Sequence, residues 1–128
     1  NSDGGAIYSQ SGAVTISQST LTLNTAQQGV GGAVFSNLAS LAITNSIVAG
    51  NTSISPDIQK SNQGAFTVTN SLIGSKNGTG LTETGSTPGA NGNLVGGFNA
   101  AAIDPLLGPL ANNGGSTLTH ALLAGSLA

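Results

Sequence analysis

Apolar and polar residues alternate in short bursts along this chain. Val14, Ile16, Leu21 and Leu23 form one apolar set, with Thr15 and Ser17 between its first members. The beat returns with Leu41, Ile43 and Val48, and again with Phe66, Val68 and Ile73. A period of two sends successive side chains to opposite faces, the mark of a strand with one face buried. A helix would need apolar residues at i, i+3 and i+4, and "VTI", "AIT" and "TVT" do not supply them. These sets are therefore expected to point inward, and Thr15 and Ser17 outward.

The strands belong to a repeat. "GGAIYSQSGAVTISQS" (Gly4 to Ser19) returns 27 residues later as "GGAVFSNLASLAITNS" (Gly31 to Ser46). "FTVTNSLIG" (Phe66 to Gly74) lies 25 residues beyond "LAITNSIVA" (Leu41 to Ala49), and Ile58 takes the place of Val34 and Ile7. Each unit of 25–27 residues holds three short apolar stretches, "AIY", "VTI" and "TLTL" in the first. One unit cannot bury its apolar side alone, but stacked units give every strand a parallel neighbour and a continuous core. The expected fold is all-β, a parallel β-helix (β-solenoid) with three short strands per coil. Five coils would make a rod about 24 Å long. Residues 1–75 read as regular coils, 76–92 as a loop insertion and 93–128 as C-terminal coils. The whole reads as a single domain excised from a longer protein.

Gln18, Asn45 and Asn70, each followed by serine, fall between the second and third strands. A tight corner there needs a residue that tolerates positive φ and bonds nearby backbone, as Asn does. Stacked, these amides are expected to form a structural turn ladder. Asn24-Thr25 and Asn51-Thr52 mark the next corner, and Gly4-Gly5 and Gly31-Gly32 the start of a coil.

Composition narrows the function. Only 5% of residues are charged, against about a quarter in ordinary soluble domains. With two Lys and no Arg there is no basic patch for phosphates, which argues against nucleic acid. No run of 18 apolar residues suggests a membrane span. Hydroxyls and amides, not charges, make the polar surface.

"DGGAIY", "VGGAVFSN" and "LAITNSIVAGNTS" resemble the repeats of right-handed parallel β-helix surface proteins of bacteria, including the polymorphic outer-membrane protein repeat. "IDPLLGPLANNGGSTLTHALLAGS" (Ile103 to Ser126) resembles the closing segment of the choice-of-anchor Q domain, although the usual continuation into "PAID" is missing. The resemblance implies a β-solenoid exported to the cell surface or secreted, with no defined activity.

Polysaccharide lyases use this fold too, typically with clustered acids on Ca²⁺ and an Arg or Lys base. Here Asp3, Asp57, Glu83 and Asp104 are scattered, too few for a cation that takes six to eight oxygens. They read as turn or cap residues. His120 lacks a nucleophile-elbow serine and reads as structural. Isopeptide chemistry would have only Lys60, Lys76 and Glu83 to draw on. Asn51-Thr52-Ser53 and Asn77-Gly78-Thr79 match the glycosylation acceptor pattern. No catalytic, metal or cofactor site is expected.

Two outer faces remain. Thr15, Ser17, Thr44, Thr67 and Thr69, with Ala42 among them, make a hydroxyl face of the kind ice-binding solenoids carry. Tyr8, Phe35, Ile47 and Leu72 make an apolar contact stripe, unless the register slips by one and they are core. An uncharged solenoid without caps at its edges would pair with copies of itself. The leading expectation is a non-catalytic, self-associating structural element: a fibre, sheath or adhesin stalk at the cell surface. A glycan-binding or lyase-like domain and an ice-binding solenoid are the alternatives.

Overall fold

The computed structural model describes residues 3–61, 63–98 and 101–128. Three parallel sheets stack the repeats. The first contains β1 (Ile7–Ser9), β4 (Val34–Ser36) and β7 (Ile58–Lys60). The second contains β2 (Ala13–Ser17), β5 (Ser40–Thr44) and β8 (Phe66–Thr69). The third runs β3 (Thr20–Leu21), β6 (Ile47–Val48), β9 (Leu72–Ile73) and β10 (Leu94–Val95). Residue pairs follow the repeat: Ile7 with Val34 and Val34 with Ile58, Val14 with Leu41 and Leu41 with Phe66. The chain is a β-solenoid of about four turns, one fewer than the pattern suggests.

The alternation sets the core. Val34, Leu41, Ile43, Val48, Ile58 and Ile73 are fully enclosed between the three sheets. Leu23 departs from the expectation: it is 78% exposed, with φ at 59°. It sits at a corner, where the chain must turn left-handed, and so the strand alternation no longer applies to it. An L-residue with a Cβ is disfavoured there by about 1–2 kcal/mol. Leu23→Gly should raise the unfolding free energy by about 1 kcal/mol in urea melts; no gain would mean that this corner is not left-handed in solution.

Residues 76–92 do not loop away from the solenoid. They lie across its last coil, where Leu81 packs on the core. Gly78 accepts from the amide of Lys60 (3.0 Å), Asn91 from that of Asn70 (2.9 Å), and Thr84 exchanges bonds with Val95. Each sheet thus meets the segment at its final strand, and this end of the solenoid is capped.

Beyond Val95 the expected further coils are absent. Residues 107–122 form an antiparallel hairpin of β11 (Leu107–Ala111) and β12 (Thr119–Leu122). The segment returns along the outside of the third sheet, anchored by Ile103 to Gly74 and Leu123 to Leu106. Pro105 and Pro109 oppose a continued regular ladder, because proline offers no amide to it.

Candidate functional site

The corner residues Gln18, Asn45 and Asn70 have φ of 49°, 50° and 48°, the left-handed turn expected of them. The inter-coil ladder itself is made by their neighbours. The amide of Ser19 donates to Ser46 Oγ (3.1 Å), that of Ser46 to Ser71 Oγ (3.1 Å) and that of Ser71 to Asn93 Oδ1 (3.1 Å). Each serine hydroxyl in turn donates to the carbonyl two residues back: Ser17, Thr44 or Thr69. The amides set the turn and the serines bind coil to coil. The repeated serine was the visible signal, but the pattern does not say which of the two side chains faces the stack.

A second ladder lies at the next corner. Asn51 Oδ1 accepts from the backbone amide (3.0 Å) and side chain (2.9 Å) of Asn24. The side chain of Asn51 donates to Asp57 Oδ1 (2.9 Å), and its backbone amide does the same (3.2 Å). Asp57 Oδ2 accepts from the amide of Ser75 (2.8 Å), whose hydroxyl donates to Gly97. Asp57 is 2% exposed. Burial pushes its carboxyl above the ordinary value, against the donors from Asn51 and Ser75. Far more than a turn residue, it ties three coils together. Asn51 is 6% exposed and committed to this network, so its glycosylation pattern is not accessible.

The other polar candidates are dispersed. Among the described residues no three His, Cys, Asp or Glu side chains are grouped to hold a metal. Asp104 caps Leu106 (2.9 Å), and Asp3 accepts from the amide of Val30 (3.1 Å). His120 Nδ1 donates to Gly108 across the hairpin (2.7 Å). Glu83 pairs with Lys76 (3.1 Å), which also sits 4.8 Å above the Phe98 ring, while Lys60 donates to Ser61 and Gln63.

The hydroxyl face forms on the second sheet. Thr15, Ala42 and Thr67 make one column, and Ser17, Thr44 and Thr69 the next. Thr15, Ser17, Thr67 and Thr69 are exposed, while Ala42 and Thr44 are half-buried. The stripe divides in two. Tyr8 (54% exposed) stacks on Phe35 outside the first sheet, centroids 5.3 Å apart. Ile47 and Leu72 point away from the lumen, as Val48 and Ile73 fill it, so the register is not slipped. Leu72 is only 3% exposed, enclosed with Ala49, Leu94 and Ile103, and is closed to a partner. The returning C-terminal segment is what the pattern could not foresee.

The first coil is the most open part of the solenoid. Its strands β1, β2 and β3 terminate all three sheets. Ile7, Val14 and Leu21 are half-buried there, whereas Val34, Leu41 and Val48 one rung above are enclosed. Both ladders stop at this edge: Ser19 Oγ and Asn24 Oδ1 occupy the accepting positions of Ser46 and Asn51, with no donor among the described residues. None of the three strands carries a charge or a proline, the usual guards of an edge.

The chain matches no protein-family model, no curated protein and no solved structure. Of the likeness to bacterial surface repeats, the parallel β-solenoid is what stands.

Proposed function

We propose that this protein is a non-catalytic, self-associating structural β-solenoid that works outside the cell or on its surface, as a stalk or fibre element. The observation that carries this reading is the first-coil edge, with unpaired strands in all three sheets and no charge or proline to guard them. Such an edge offers backbone donors, acceptors and half-covered apolar side chains to another β-edge. The surface location follows from the resemblance of the repeats and from a polar surface of hydroxyls and amides. Light scattering across a concentration series, with negative-stain microscopy in parallel, tests it. Mass should rise with concentration; a monomer at every concentration overturns it.

A second reading rests on the hydroxyl face. Two exposed columns on a flat sheet repeat at the strand spacing of about 4.8 Å. That regularity suits an ordered water lattice, and thermal hysteresis in dilute solution is its test. A solution that freezes without hysteresis discards this reading.

A further inference from the structure

We propose that the open edge of the first coil pairs with the same edge of a second copy, antiparallel across a two-fold axis, and that residues 76–92 stop assembly at this pair. The proposal rests on the self-associating reading above and names its geometry.

The backbone alternation identifies the groups concerned. The amide of Gln18 donates to Thr44, and Gly12 accepts from the amide of Ser40, so the even-numbered residues of β2 turn toward the second coil. Ala13, Thr15 and Ser17 therefore turn their N–H and C=O to the open side. Ser17 agrees, since its carbonyl takes the hydroxyl of Ser19 just as Thr44 takes that of Ser46 and, from the coil below, the amide of Gln18. A row of alternating donors and acceptors is self-complementary when one copy is turned over. Thr15, at the centre of β2, then lies opposite its counterpart and exchanges two hydrogen bonds with it.

Charge permits the approach. Asp3 is the sole charged residue of the first coil, and it is engaged with Val30. The half-covered Ile7, Val14 and Leu21 of both copies meet beneath the strands. Head-to-tail stacking, in contrast, would need the last coil free. Leu81 covers its core, and Gly78, Asn91 and Thr84 occupy the strand ends. One sticky end and one capped end give a closed pair, not an open filament.

Sedimentation velocity of the 128-residue chain across a concentration series tests this. The expected ceiling is a species of twice the 12.3 kDa chain. Thr15→Pro removes the central donors from an edge that tolerates proline, and should weaken the pair by about tenfold or more. Ala13→Lys, exposed on the same strand, brings like charges together at the dyad and should also yield monomers. Circular dichroism melts establish that each variant folds, and either folded variant suffices. Growth beyond the pair overturns the capping role while leaving self-association intact. A wild-type pair undiminished in a folded variant overturns the edge as its site. A monomer at all concentrations overturns both this proposal and the reading beneath it.

Discussion

Asp57→Ala should cost about 3–4 kcal/mol of unfolding free energy, measured by urea denaturation at neutral pH. The substitution leaves three donors, the backbone and side-chain amides of Asn51 and the backbone amide of Ser75, without a partner in an enclosed corner. It also severs the link through which Asn24, Asn51 and Ser75 join successive coils. Asp57→Asn keeps the shape but turns one amide group against a donor, and should cost less. A loss below about 1 kcal/mol for alanine would mean that the corner is hydrated and the network unimportant.

The same carboxyl gives a pH dependence of definite sign. Burial holds its proton more tightly in the fold than at the ordinary value of 3.8. Below that value both states are protonated and its contribution is constant. As pH rises through it, the unfolded chain releases its proton first, so stability falls until the folded carboxyl ionises as well. Above the folded value the contribution is flat. The drop between acid and neutral pH should therefore be larger in the wild type than in Asp57→Asn. Equal drops in the two would assign the pH dependence to other groups.

Gly32→Ala should be comparably damaging, by about 3 kcal/mol, while Gly115→Ala should be near neutral or slightly stabilising. A Cβ on Gly32 would sit 1.9 Å from the carbonyl oxygen of Pro56 and 2.8 Å from the amide nitrogen of Thr52. Both are backbone atoms of the next coil, so relief requires the coils themselves to separate. At Gly115 the nearest backbone atom is 3.7 Å away. Thermal melts of the two variants make the comparison within one protein. Equal melting temperatures would show that the coils can spread without cost, against the close approach described.

Repetition made much of this legible beforehand. Side chains that recur every 25–27 residues must occupy the same place in each coil, so strand identity, inward residues and the left-handed corner at Asn45 follow from the chain alone. Gly31-Gly32 was equally visible, but its two members serve different needs: Gly31 takes φ of 68°, and Gly32 lies against the next coil. The single departure inside the repeats, Leu23, falls where a corner replaces the strand rule.

What escaped the pattern lies where the chain stops repeating. Nothing in "SPDI" distinguishes a corner acid from a buried one; Asp57 is enclosed because Asn51, Gly74 and Ser75 close over it from three directions. Leu81 reads as a lone apolar residue in a polar loop until the loop folds across the last coil. Leu72 reads as an exposed contact until Leu94 and Ile103 enclose it. Periodicity thus determined the coil, because each coil must satisfy its neighbours in the same way. The ends and the outer face were decided only by tertiary structure, since there a strand or side chain is covered by non-repeating chain distant in sequence, and burial depends on that encounter.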